Sequence, residues 1–259
     1  SGNNSAASKA PEHRVAGRLV IDPLKDTATK PQSYYDGIKQ KFAEERDLRL
    51  GFRPEGKSQY ITNLDDDPDL AKYETDPFVE TPIQRDPIVD TVECLCIGGG
   101  FSALLAAARL RERGVKSIRI IERGADVGGT WYWNRYPGIA CDTPSYDYIP
   151  LLDEMGKVPP SYYAKGPEIY AHCQEIARRY DLYDLAVFQT TVTSTVWDAK
   201  TKLWQISTDR GDKISARFVI VANGTLSQPK LSKINGMETF KGHSFHTSRF
   251  DYDYTGQDL

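Results

Sequence analysis

At 259 residues the chain is long enough for one large domain or two small ones. Its 39% hydrophobic and 27% charged residues match a soluble globular protein, and a net charge of −3 leaves no electrostatic footprint for nucleic acid or an anionic membrane. No apolar run approaches the ~18 residues of a membrane span, no signal-peptide core opens the chain, and the four cysteines (Cys94, Cys96, Cys141, Cys173) lack metal-ligand spacing, so a reduced cytoplasmic setting is expected.

Residues 1 to about 30 are small, polar and aperiodic, and the start is expected to be mobile. From Ser33 to Leu50 the pattern turns helical. Tyr34, Ile38, Phe42 and Ala43 recur on one face, Ser33 is placed to cap the start and Gly51 to close the run, which predicts an amphipathic helix. The acidic segment from Asn63 to Asp86 carries at most a short helix near Leu70–Tyr73. With so little apolar surface it must lie on a larger body, either as a stabilising wrap, which is favoured, or as an arm shaping a substrate entrance.

A strand over 91–97, a helix from about 101 to 113 ended by Gly114 and a strand over 117–121 follow. Between the first strand and the Ala/Leu-rich helix stands Gly98-Gly99-Gly100-Phe101-Ser102-Ala103, a G-x-G-x-x-A turn in the setting that a dinucleotide fingerprint requires. Gly98 permits the tight turn, Gly100 lets backbone approach a pyrophosphate, and Ala103 keeps the helix close to the strand. Glu122 ends the second strand, 24 positions after Gly98, near the ~20 expected of an acid that accepts ribose hydroxyls. Cys94 and Cys96, two apart in the first strand, are predicted to share one buried face.

An aromatic loop runs on to Tyr148, carrying Gly128-Gly129-Thr130-Trp131, then Tyr136-Pro137-Gly138 and Asp142. Adjacent glycines let backbone lie against a ligand, and Trp and Tyr offer flat surfaces to a planar ring, although such a loop could equally pack on the core. Pro167 opens a helix through about Tyr180, with Ile169, Cys173, Ile176 and Ala177 as its apolar stripe. Beyond Asp184 the period changes to two. Runs over 187–197, 203–208 and 214–222 predict an antiparallel meander that returns to a last buried strand, Phe218 to Val221, ending in Ala222-Asn223-Gly224.

The pattern G-G-x-W-x-x-x-x-Y-P-G-x-x-x-D, filled here by Gly128 to Asp142, resembles that of type I Baeyer–Villiger monooxygenases. The tail from Phe240 through Gly242, His246 and Thr247 to Asp251 resembles the fingerprint of the same family, with Phe250 where Trp is usual. On its own, His246 reads as a hydrogen-bonded structural residue. Pyridine-nucleotide disulfide reductases would carry a redox Cys pair where this chain has Trp and Tyr. Flavin N- and S-oxygenases share the tail but usually show Ser where Thr247 stands and lack the aromatic loop.

The resemblance implies an α/β, Rossmann-like FAD-binding domain, with a parallel sheet, helices and an antiparallel β-meander, over residues 90–233. A partly helical extension over 1–89 would precede it, and a linker over 234–259 would lead toward an NADP-binding domain elsewhere in the enzyme. It implies a flavoprotein monooxygenase that uses FAD, NADPH and O2 to convert a ketone into an ester or lactone. The present chain is then an incomplete portion, inactive alone. Alternatives are a flavin N- or S-oxygenase, or an FAD-binding module without its own turnover. By the same resemblance Gly98, Gly100, Phe101, Ser102 and Ala103 would hold the pyrophosphate and Glu122 the adenosine ribose. Val192 would meet the adenine by backbone, and Gly129, Thr130, Trp131 and Tyr148 would lie along the flavin. Asp142 would stand at its reactive face, partnering an arginine of the later domain.

Overall fold

The computed structural model describes residues 31–51, 60–61, 68–232 and 234–257, so the expectation for the first 30 residues lies outside them. The chain divides into two compact units, 1–58 and 59–259.

In the first unit the predicted helix is present as α1 (Gln32–Gly51), with none of its residues buried. Tyr34, Ile38 and Phe42 stay 50%, 51% and 65% exposed, so the apolar face of the helix is not buried. Ser33 falls inside the first turn instead of capping it. Side-chain pairs four residues apart (Gln32 with Asp36, Gln40 with Glu44, Lys41 with Glu45) support the helix instead, each pair giving about 0.2–0.5 kcal/mol.

The second unit begins with a two-residue strand, β1 (Tyr60–Ile61), and a single helical turn, α2 (Pro68–Ala71). Then comes the dinucleotide unit, β2 (Val89–Ile97), α3 (Phe101–Glu112) and β3 (Ile118–Ile121), within two residues of the predicted bounds. The aromatic loop folds into single turns, α4 (Thr130–Trp133), α5 (Ser145–Tyr148) and, after it, α6 (Leu152–Met155). Helix α7 (Gly166–Arg179) carries Pro167 at its start. Strands β4 (Ala186–Val187), β5 (Val192–Asp198), β6 (Leu203–Thr208) and β7 (Lys213–Val221) follow, then β8 (Leu231–Ser232), paired antiparallel with β1, and a last turn, α8 (Tyr252–Thr255).

Six strands form one sheet in the order β4-β3-β2-β7-β6-β5. Its first four are parallel, and β7, β6 and β5 run antiparallel. This is the expected α/β, Rossmann-like architecture, with β2 central between β3 and β7. Cys94 and Cys96 do share a face, packing with Ile118 and Ile120 under Ala103, Leu104, Ala107 and Ala108 of α3 and Cys173, Ile176 and Ala177 of α7. Small alanines let α3 lie close to the strands. Full burial of each branched side chain contributes about 1.5–3 kcal/mol. Burial pushes the Cys96 thiol up to about 12 and raises Cys173 as well, so these thiols are inert packing groups. The other face buries Val92, Leu95, Ile121, Ile206, Ile214 and Ala216.

Two strand expectations need correction. The run 187–197 is not one strand: Gln189 takes a positive φ of 49°, so Val187 pairs with β3 while Val192 starts the meander. And β7 is not buried at its end, for Phe218 and Val221 are 51% and 71% exposed. Strand β6 pairs with β7 only over 213–216, so 218–221 is paired with β2 alone and is left partly to solvent by the described residues, with Arg217 over the Phe218 ring at 5.2 Å.

Candidate cofactor-binding site

The end of β2 turns sharply at Gly98, whose φ is +108° and whose N–H donates to Ile121 O at 2.8 Å. A Cβ there would stand 2.4 Å from the Ala222 carbonyl oxygen, so only glycine fits between β2 and the end of β7. Gly100 precedes α3 and supplies no side-chain cap, which leaves the first-turn N–H groups of Phe101, Ser102 and Ala103 open to an anion. Ala103 is fully buried against the strands, while Ser102 is exposed.

The second glycine pair closes on the first. Gly128 N–H donates to Gly99 O at 2.9 Å, and a Cβ on Gly129 would meet Gly100 Cα at 2.9 Å. Two turns that are 29 residues apart thus abut backbone to backbone, forming a cradle without side chains beside the open end of α3.

Glu122 is 5% exposed and joins the cradle from β3. One carboxylate oxygen accepts from Gly99 N–H at 2.5 Å and the other from Gly124 N–H at 2.7 Å. Burial raises its pKa, opposed by those two N–H groups and by Arg123. Glu122 O accepts from Thr190 N–H at 3.0 Å, which brings the start of β5, and so Val192, to the same end of the sheet. Val192 itself is half-buried, opposite Thr208.

Trp131, expected along a ligand, lies 6% exposed in a core with Ile139, Cys141, Ile149, Ala164 and Ile169. Its indole N–H donates to Tyr148 OH at 3.0 Å, and the half-buried Tyr148 ring lies 5.5 Å from that of Phe101. The aromatic wall beside α3 is therefore Phe101 and Tyr148, with Trp131 bracing it from behind. Thr130 O accepts from the Asn134 backbone at 3.0 Å and side chain at 2.9 Å, closing α4.

Asp142 is exposed, and no described residue gives its carboxylate a hydrogen bond or ion pair. It does not satisfy neighbouring backbone, for Thr143 N–H turns to the Cys141 sulfur at 3.4 Å. The segment just before it is fixed: Gly166 N–H donates to Ile139 O and Cys141 N–H to Ala164 O, each at 2.9 Å. His246 has the structural role read for it, its Nδ1 accepting from Ser248 N–H at 3.1 Å as the cap of a short turn. Phe250 keeps aromatic bulk in the tail, 5.1 Å from Phe245 and 5.0 Å from Tyr252.

Three residues that build the site carry little signal in the sequence. Tyr132 stands beside the motif glycines, yet its importance lies in its hydroxyl, which accepts from Ala125 N–H at 3.0 Å. Asp126 accepts from Tyr170 at 2.8 Å, Gln174 at 2.7 Å and Tyr183 at 2.9 Å, fastening α7 to the loop after β3. Arg249 is 8% exposed and donates only to carbonyls and a hydroxyl, with its guanidinium 4.9 Å from the Trp133 ring; burial lowers its pKa to about 10. Among the described residues no His/Cys/Asp/Glu cluster suits a metal, and no helix is long and apolar enough to cross a membrane.

A family profile described as an NAD(P)-binding Rossmann-like domain matches residues 96–151, the glycine turn through the aromatic loop. A Baeyer–Villiger monooxygenase of Streptomyces coelicolor is 48% identical over 220 residues, covering 85% of this chain and 36% of that protein. The solved polycyclic ketone monooxygenase from Thermothelomyces thermophila superposes with a TM-score of 0.72 at 38% identity, covering 80% of this chain and 35% of that one. A solved complex of OTEMO with FAD and NADP gives a TM-score of 0.58 at 34% identity, over 67% of this chain and 32% of that one. The chain spans about a third of the length of these relatives.

Proposed function

Because this chain is a homologue of the Baeyer–Villiger monooxygenases, we propose that its glycine cradle holds FAD, and that the protein uses NADPH and O2 to convert a ketone into an ester or lactone. The observation that carries this is the side-chain-free contact of Gly100 with Gly129 at the uncapped start of α3, with Glu122 at its edge. A pyrophosphate needs close backbone approach and open N–H donors, and both are present. Bound FAD supplies electron transfer from NADPH and the activation of O2.

The chain's own residues place and polarise. The Gly98–Ala103 turn receives the pyrophosphate, while the lone pairs that Glu122 does not give to Gly99 and Gly124 accept the ribose hydroxyls. Val192 meets the adenine through its backbone. Gly129 and Thr130 lie along the flavin with Tyr148, and Trp131 acts on the flavin side by holding the Tyr148 hydroxyl. Asp142, with its carboxylate uncommitted, stands at the reactive face and pairs with an arginine contributed from elsewhere in the protein. In this reading residues 90–233 are the FAD-binding domain and 234–259 lead toward the NADP-binding part.

The test is product formation by the full-length protein that carries this chain. With FAD, NADPH and a cyclic ketone, NADPH loss should match lactone formation, with one atom of O2 in the product. NADPH oxidation that ignores ketone and yields no lactone would overturn the assignment.

A further inference from the structure

The acidic segment before β2 is bound at two places. Near β2, the Asp212 carboxylate accepts from both terminal nitrogens of Arg85 at 2.6 Å and from Ile88 N–H at 2.7 Å. Farther upstream, Arg249 of the tail donates to Thr75 O at 3.1 Å and Tyr73 O at 3.0 Å. Asp76 follows those two carbonyls directly, so its backbone is held by the tail.

The Asp76 side chain reaches the cradle through one residue. One of its oxygens accepts from Phe78 N–H at 2.9 Å and the other from Tyr132 OH at 2.6 Å. Tyr132 is 2% exposed and its hydroxyl has one proton. With that proton given to Asp76, the lone pair is free to accept from Ala125 N–H, three residues past Glu122. The Tyr132 ring occupies the room that Gly124 leaves, where a Cβ would stand 2.7 Å from it, while at Gly128 a Cβ would meet the Tyr170 ring at 2.8 Å and Tyr132 Cβ at 3.4 Å. The Arg135 guanidinium covers the Phe78 and Tyr132 rings at 3.7 and 4.7 Å.

We propose that Asp76 is a positioning residue for the cofactor cradle, which orients the Tyr132 hydroxyl and thereby sets the Gly124–Gly129 loop against Gly99 and Gly100. The segment 73–78 is then part of the site's architecture, where a plain wrap would stabilise the fold without setting the cradle's shape. This rests on the reading that the cradle holds FAD. Removing the carboxylate leaves a buried hydroxyl proton without its acceptor, and Tyr132 loses the orientation that serves Ala125.

The experiment compares wild type, Asp76→Ala, Asp76→Asn, Tyr132→Phe and the Asp76→Ala/Tyr132→Phe double variant, at a temperature where circular dichroism shows each folded. FAD affinity is read by fluorescence titration, and amide hydrogen exchange at Ala125 and Gly128 is read in the ligand-free protein. Asp76→Ala and Tyr132→Phe should each weaken FAD about tenfold and speed exchange at Ala125, and the double variant should be no weaker than either alone. Asp76→Asn, which keeps an acceptor oxygen, should restore affinity to within about threefold. Wild-type affinity and exchange in Asp76→Ala would overturn the proposal and leave a plain wrap. Should wild type fail to bind FAD, the functional reading falls and the exchange measurement alone decides whether Asp76 sets the loop. If Asp76→Ala does not fold, Tyr132→Phe decides by the same two readouts.

Discussion

Glu122 and Gly99 are joined by a carboxylate-to-amide hydrogen bond of 2.5 Å, and the same side chain holds Gly124 N–H at 2.7 Å. One buried acid therefore fixes both the turn leaving β2 and the loop leaving β3. The arrangement has a cost, because burial raises the Glu122 pKa. A carboxyl whose folded pKa is raised contributes stability below its ordinary value and loses it as pH rises through the folded value. In ligand-free protein, Glu122→Gln should remove a decline in stability on going up from about pH 4.5. Urea unfolding of both forms between about pH 4 and 7 checks this, and parallel curves would remove Glu122 as the source.

Gly98→Ala should destabilise by at least about 2 kcal/mol, because a strained backbone and a contact with the Ala222 carbonyl at 2.4 Å add. Thermal unfolding should register a clear fall in Tm. Gly138→Ala is the control, with φ +80° but no neighbour within 4 Å, and it should cost only the backbone strain.

The Arg85–Asp212 pair is buried on the carboxylate side, with side-chain exposures of 18% and 0%. The Arg85 hydrogen bond, first among its partners, holds the Asp212 carboxyl far below the usual range. A depressed carboxyl contributes stability above its ordinary value and loses it as pH falls toward the folded value, so the loss should begin below about pH 4. Arg85→Met should cost about 3–5 kcal/mol at neutral pH by leaving Asp212 buried and unpaired, and should flatten the acid limb. A chain starting at Gln59 keeps the pair, whereas one starting at Asp90 discards Arg85 and should show a lower Tm.

The dinucleotide unit was legible because the part of a parallel strand that is buried on both faces reads as the continuous apolar run Cys94–Ile97, and because Gly98, Gly100 and Glu122 stand at the positions of a dinucleotide fingerprint. Regularity also misled. The alternation from Val187 to Trp197 continues through a break at Gln189, since side-chain pattern does not report a positive φ. Phe218–Val221 is apolar, but hydrophobicity alone does not say which strand face receives a covering layer. The α1 stripe of Tyr34, Ile38 and Phe42 carried the right period, but none of these side chains is buried. The Asp76–Tyr132 and Arg85–Asp212 bonds span 56 and 127 residues, and no local signal marks either partner.

The proposed role of Asp142 at the reactive face is supported by an exposed carboxylate that no described residue binds and by the fixed segment just before it. In the full-length protein Asp142→Ala should keep its FAD and lose about a hundredfold or more in ester or lactone formation, as happens when a charge-stabilising group is removed. Flavin content by absorbance and product by mass spectrometry check the two halves. Undiminished product would remove Asp142 from the reactive face.

In the proposed function, the Gly98–Ala103 and Gly128–Gly129 turns hold FAD with Glu122 on its ribose. Fluorescence titration of the ligand-free chain with FAD, repeated with Glu122→Ala and with ADP or riboflavin as competitors, tests it most directly. Binding should be saturable and one-to-one, with competition by ADP stronger than by riboflavin and at least a tenfold loss in Glu122→Ala, since each charge-assisted bond is worth about 1.5–3 kcal/mol. Absence of saturable binding, or equal affinity in wild type and Glu122→Ala, would contradict it.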